Sequence, residues 1–311
     1  MVAATIRKMH APNHEAAVLL VSPVAALNEV PFDALHDGRD FLLRTYRINY
    51  LSSGRELLRE TDTATSPNVF LLADPECSAL ERLPSARTEA EQIRKLFPSE
   101  RVNALFGKEA TKEKLLKIRG AGVLHVATHG FFQGAQASQD VKGARLLAED
   151  TPDPAQIPVS PNPMLRAGLF MAPIEEQLLQ DYGKMAGMAS ALEIASMDLS
   201  GTELVTLAAC RSGVSTAQPR LGVYGLRRAI QVAGARTLVM SLWDVNDGAT
   251  QQLMVEYYIR LRRGEGRVDA MRAAMEKVRQ QYAHPYYWAP FIVLGEDGPL
   301  SSCNPPVPTA P

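Results

Sequence analysis

His129 and Cys210 each close a run of mostly apolar residues. Leu124-His125-Val126-Ala127-Thr128 leads to the imidazole, and Leu204-Val205-Thr206-Leu207-Ala208-Ala209 leads to the thiol. Short apolar runs with an abrupt stop are the pattern of buried parallel strands. In open α/β sheets, ligands and chemistry gather at the carboxyl ends of such strands. The two runs are therefore expected to bring an imidazole and a thiol to one edge of one sheet. A thiol of ordinary acidity, with a pKa near ~8.5, is a poor nucleophile at neutral pH. A neighbouring imidazole activates it and later protonates the leaving group. Cys210 thus reads as a nucleophile and His129 as its base and acid. Gly130 has no Cβ, so its N–H can approach a developing oxyanion, and the N–H of Cys210 is the expected second donor.

Chain order narrows the type of enzyme. The histidine precedes the cysteine by 81 residues, whereas papain-like proteases place the cysteine first. Caspases have this order at a spacing of roughly 50 residues. A Gly/Ala/Gln/Ser/Asp/Pro-rich segment, residues 133–164, accounts for the excess and reads as a long surface loop, either a lid or a tolerated insertion. The caspase signature Gln-Ala-Cys-Arg-Gly is echoed in Ala208-Ala209-Cys210-Arg211-Ser212-Gly213, with Ala for Gln and one residue before the glycine.

Further segments extend the pattern: Val30-Pro31-Phe32-Asp33-Ala34-Leu35, the stretch from Gly234 to Thr250 containing Ser241-Leu242-Trp243-Asp244-Val245-Asn246-Asp247, and His284-Pro285-Tyr286-Tyr287-Trp288-Ala289-Pro290-Phe291. With His129-Gly130 and Ala209-Cys210-Arg211-Ser212-Gly213 they resemble, in order, the CHAT domain. This family consists of caspase-like cysteine proteases related to separases and often fused to helical repeats. The resemblance covers residues 17–295. The chain departs from the common pattern at Arg211 and at Arg220-Leu221-Gly222, which bears on substrate preference more than on chemistry.

The resemblance implies an α/β fold with a caspase-like, mostly parallel central sheet and helices on both faces. It also implies a cysteine endopeptidase that cuts a protein partner under the control of an attached repeat, a second-messenger sensor or an RNA-guided complex. Separases carry a similar Leu-Trp-Asp-Val-x-Asp stretch and cut after arginine, so Asp244 and Asp247 become candidates for a pocket holding a basic side chain. Asp247 also stands where a helix N-cap would be. Two other readings remain: a CHAT-fold interaction module without catalysis, and a thiol hydrolase acting on another acyl substrate.

His125 shares a strand face with His129. No third or fourth ligand stands at a recognisable metal spacing, so His125 reads as a core histidine or one that supports the site from behind, and no metal or cofactor is expected. The segment from Gly222 to Gly225 lacks the Gly-x-Gly-x-x-Gly spacing and no Walker pattern occurs, so nucleotide binding is disfavoured.

The 311 residues carry 33 Lys and Arg against 34 Asp and Glu, which gives no footprint for nucleic acid or a charged membrane surface. No apolar run approaches a membrane span and the first residues lack a signal-peptide core. The expected location is therefore the cytoplasm, whose reducing conditions keep a thiol free. Three scattered cysteines, Cys77, Cys210 and Cys303, are too few for a disulfide framework. Residues 1–16 read as an irregular lead segment. Residues 17–295 form the domain, with an N-terminal subregion 17–106 and a catalytic subregion 107–295, and 296–311 a Pro-rich disordered tail.

Strands are expected at 17–22, 45–51, 68–73, 101–106, 165–172, 237–243 and 287–294, besides those ending in His129 and Cys210. Helices are expected after Thr88, boxed by Glu91 and closed by Pro98, and at 112–119 capped by Thr111. Others are expected at 190–196, 223–233 ending at Gly234, 247–263 and 267–282. This alternation is the grammar of a parallel sheet covered on both faces.

Overall fold

A computed structural model describes residues 17–58, 65–77, 80–132, 162–173, 187–211, 220–243 and 245–301. Within them the apolar runs form strands β1 (Ala17–Val21), β2 (Tyr46–Tyr50), β3 (Val69–Pro75), β4 (Val102–Gly107) and β5 (Val123–Phe132). Strands β6 (Ala167–Phe170), β7 (Met188–Ser190), β8 (Leu204–Arg211), β9 (Thr237–Ser241) and β10 (Phe291–Gly295) follow. They make one sheet in the order β1-β2-β10-β9-β8-β5-β3-β4, with β6 and β7 continuing outward from the end of β5. The central strands β4, β3, β5, β8 and β9 run parallel. Strand β10 reverses against β9, β2 and β1 run with β10, and β6 and β7 are antiparallel additions. Strands from the expected N-terminal subregion therefore flank those of the catalytic subregion in a shared sheet.

Alternation along the central strands splits the core into two layers. Leu71, Val123, Ala127, Leu204, Ala208 and Val239 pack in one layer. It is covered by α1 (Leu42–Thr45), α2 (Pro84–Arg94), α6 (Asp247–Arg262), α7 (Arg267–Arg279) and α8 (Pro285–Trp288). Leu72, Leu124, Val126, Val205, Leu207 and Met240 face the other layer, built with α3 (Lys112–Leu116), α4 (Ala191–Ala195) and α5 (Arg220–Ala233). Helices on both faces of a mostly parallel sheet are what the sequence led us to expect. The stripe Met254, Tyr257, Tyr258 and Leu261 on α6 is fully buried, as a packing stripe should be.

Local signals decide the element ends. Thr111 accepts a hydrogen bond from Lys114 N–H at 3.2 Å and opens α3. Gly234 ends α5 at φ +109°, a conformation that suits glycine. Four expectations fail in detail. Strand β5 runs three residues past His129, and Tyr287 and Trp288 belong to α8 rather than to the last strand. Helix α2 begins with Pro84 at its first position, so Thr88 lies inside it and donates its hydroxyl to Pro84 O at 2.9 Å instead of capping. Helix α5 starts at Arg220, not 223.

The expected lead segment 1–16 lies outside the described residues, as do 133–161 of the expected loop and 302–311 of the expected tail. Residues 296–301 pack on the α6–α7 layer, with Leu300 fully buried and Ser301 N–H donating to Glu203 Oε1 at 2.9 Å. Among the described residues no helix is long and apolar enough to cross a membrane.

Candidate active site

The chain path marks one edge of the sheet. From β3 the chain passes through α2 on one face to β4, then through α3 on the opposite face to β5, on the other side of β3. Strands β3 and β5 are neighbours, with β4 on the far side of β3 and β8 on the far side of β5. Such a reversal of strand order is a topological switch point, where open α/β sheets place ligands outside the carboxyl ends of their strands.

His129 lies on β5 at this edge, and Cys210 is its register partner on β8. Residues in register on neighbouring parallel strands occupy the same face, with backbones about 4.8 Å apart. Val123 and Ala127 on β5, and Leu204 and Ala208 on β8, place that face in the α2–α6 layer. Gly130 pairs with Arg211 on β8 and with Leu169 on β6, so the two expected oxyanion residues are adjacent across the ladder.

The imidazole of His129 is held from one side. Its Nε2 lies 2.8 Å from the carbonyl oxygen of Glu81, in the segment leading into α2. A carbonyl can only accept, so Nε2 carries the proton. Nδ1 is buried and has no hydrogen-bond partner among the described residues. In the neutral ring Nδ1 is then the lone-pair nitrogen, the form a general base requires.

Two hydroxyls brace the strand tips. Thr128 donates its buried hydroxyl to Phe170 O and ties β5 to β6. Ser241 donates to Ala209 O at 3.1 Å, one residue before Cys210, beyond the last paired position of β8 and β9. Gly168 on β6 leaves room for the Phe131 ring, since a Cβ there would stand 2.5 Å from it.

His125 is a core residue, as its strand position suggested. It is fully buried, with Nε2 3.1 Å from Glu89 Oε1 and Nδ1 3.3 Å from Tyr258 Oη. Tyr258 Oη lies in turn 3.0 Å from Thr206 Oγ1. Burial raises the pKa of Glu89; its bond to His125 and that residue's charge oppose the rise, and the charge of Asp247 adds to it. No group of three or more His, Cys, Asp or Glu able to hold a metal occurs among the described residues.

Asp247 is the first residue of α6 and is exposed, but it does not cap the helix. Asn246 does, accepting from Ala249 N–H at 3.1 Å. Asp247 begins α6, the helix that packs on the layer holding Val123 and Ala127 of β5. Asp244 lies outside the described residues. The contact missed in the sequence is the Glu81 carbonyl: a backbone oxygen is shared by every residue type and leaves no mark in a sequence.

Comparison with known proteins agrees with this architecture. Tetratricopeptide repeat protein 28 of Homo sapiens is 26% identical over 242 residues, which is 71% of this chain and 9% of that protein. The Mus musculus protein of the same name is 26% identical over 244 residues, with the same coverage. The chain thus spans less than a tenth of the length of these relatives. Among solved structures, a chain of the Saccharomyces cerevisiae separase–securin complex aligns with a TM-score of 0.51 at 14% identity. The alignment covers 86% of this chain and 14% of that one, and it shows a shared fold. The CHAT domain family model matches residues 1–296, nearly the whole sequence, and the chain belongs to that family.

Proposed function

We propose that the chain is a cysteine endopeptidase that cleaves a protein partner through Cys210 and His129. The observation that carries this reading is the register pairing of the two residues at the switch-point edge, with Nδ1 of His129 unpartnered among the described residues. Nδ1 takes the thiol proton as Cys210 Sγ bonds to the scissile carbonyl carbon. The oxyanion formed is held by the N–H groups of Gly130 and Cys210; one such donor contributes about 3–4 kcal/mol of barrier lowering. Collapse of the intermediate breaks the C–N bond, and the leaving amine takes the proton from His129. Water then hydrolyses the thioester with His129 again as base.

Asp244 and Asp247 are proposed to favour a basic residue before the scissile bond. Control by an attached or associated repeat or sensor module fits the repeat proteins found as relatives. A cytoplasmic setting would keep the thiol reduced.

A second reading, a CHAT-fold interaction module without catalysis, fits the repeat proteins found as relatives. One experiment separates the two. The purified chain, alone and with its activator, is treated with a mechanism-based thiol reagent and with a peptide library. Selective labelling of Cys210, and cleavage abolished in folded Cys210→Ala and His129→Ala, supports the peptidase. Cleavage that persists in Cys210→Ala, or a Cys210 no more reactive than Cys77, overturns it.

A further inference from the structure

Asp74, directly after the buried run of β3, is the only non-glycine residue with a positive φ (48°) among those described. The strand bulges there, between Ala73 and Pro75. A residue held in this region costs about 1–3 kcal/mol and persists only where its surroundings hold it in place. Its carboxylate supplies the hold. The side chain is 3% exposed. Arg82 Nε donates to Oδ1 at 2.9 Å, Arg82 Nη2 donates to Oδ2, and the Leu83 N–H donates to Oδ1 at 2.7 Å. Burial alone would raise the Asp74 pKa. The Arg82 bonds, the Leu83 amide and the charges of Arg82 and Arg87 outweigh it and hold the carboxyl below its usual range, so it is ionised at neutral pH.

These bonds grip the residues that immediately follow Glu81, whose carbonyl oxygen meets His129 Nε2. The end of β3 therefore sets the position of an acceptor that faces the end of β5. The Leu83 amide bond ties the start of α2 to β3, and the two Arg82 bonds tie the segment just before α2 to the same carboxylate.

We propose that Asp74 is a positioning residue for His129: through Arg82 and Leu83 it fixes the Glu81 carbonyl, which keeps the ring proton on Nε2 and leaves Nδ1 as the base. This deepens the peptidase reading, and its catalytic consequence rests on that reading. The geometric claim does not.

The test therefore has two arms. In the first, the full chain is labelled with 15N-histidine, and the ring resonances of His129 are identified by their loss in His129→Gln. The wild type is expected to show one tautomer, with the proton on Nε2. Arg82→Ala removes two of the three bonds from a half-exposed side chain, so the fold is expected to survive, as checked by circular dichroism. In it and in Asp74→Asn, the two nitrogen shifts should move toward each other as both tautomers become populated. Arg82→Lys, which keeps the charge without the fork, should fall between. Wild-type ring shifts in both Arg82→Ala and Asp74→Asn would overturn the proposal.

In the second arm, the rate of Cys210 alkylation by iodoacetamide is followed across pH. Partners that orient a histidine in metal sites matter about tenfold to a hundredfold; a loss of that order here would bring Arg82→Ala toward His129→Gln in rate. If His129→Gln slows alkylation while Arg82→Ala leaves it at the wild-type rate, the positioning role is refuted. If His129→Gln itself leaves alkylation unchanged, the dyad fails, and the ring shifts still decide whether Asp74 positions the imidazole.

Discussion

Replacing Asp33 by Asn should stabilise the protein near neutral pH and leave it almost unchanged in mild acid. Asp33 sits in a single turn, Phe32–Ala34, and is buried. The Phe32 N–H beside it donates to Tyr50 Oη at 2.7 Å. Burial pushes the Asp33 carboxyl from its ordinary value of 3.8 up to about 7. Its backbone hydrogen bond, the charge of Arg272 and a bond with Tyr50 offset only part of that rise. Arg272 is otherwise engaged, donating to Leu43 O and Arg44 O at 2.6 and 3.0 Å.

A raised folded value means the native state holds the proton where the unfolded chain has lost it. Stability from this group is complete below 3.8 and is lost as pH rises through about 7. At about 1.4 kcal/mol per pH unit between the two values, the loss reaches about 4 kcal/mol. Asn cannot ionise and resembles the protonated carboxyl in shape. Urea unfolding of both proteins from about pH 4 to pH 7 measures the effect. The Asn variant should gain about 4 kcal/mol over wild type across that span. Parallel stability profiles would refute the reasoning and mean that water or a charge partner keeps Asp33 ionised.

Four further variants have expected outcomes. Asn246→Ala should cost about 1 kcal/mol in urea unfolding through loss of the α6 cap, whereas Asp247→Ala should change stability by at most about 0.5 kcal/mol and act on the preference for basic substrates in library profiling. His125→Leu leaves Glu89 buried without its partner and should cost about 3–5 kcal/mol, read as a lowered unfolding midpoint; a change within error would show that Glu89 is already neutral and content there. Ser241→Ala leaves the Ala209 carbonyl without its hydroxyl and should cost about 1 kcal/mol by the same measurement.

The resemblance to CHAT domains joins segments with different physical tasks. Tyr50, the partner of Asp33, pairs with Leu294, which pairs with Leu238 near the start of β9. The Val30–Leu35 motif therefore lies toward the sheet edge opposite His129, and its aspartate belongs to the packing. His284 is likewise structural, its Nδ1 accepting from the Tyr286 N–H at 3.1 Å to start α8. A motif shared across a family marks what the fold needs as readily as what the chemistry needs.

The central strands were legible because burial on both faces leaves little but apolar residues over five to eight positions. Helix starts were less legible. Thr88 with Glu91 has the spacing of a capping box, yet Pro84 begins the helix earlier, since its fixed φ and missing N–H suit the first turn. Asp247 and Asn246 are equally good caps by type, and only the backbone angles at the helix entrance selected Asn246.

By itself the sequence determined that an imidazole and a thiol lie toward the carboxyl ends of two buried strands, because long apolar runs are written in residue type. Which strands became neighbours, and in what register, was decided by the tertiary fold: β5 and β8 are joined through a long connection, and nothing local measures the alignment of His129 with Cys210. The same holds for the orientation of the imidazole. It depends on a backbone oxygen of Glu81, brought into place by a carboxylate on another strand, and such a contact exists only once the chain has closed on itself.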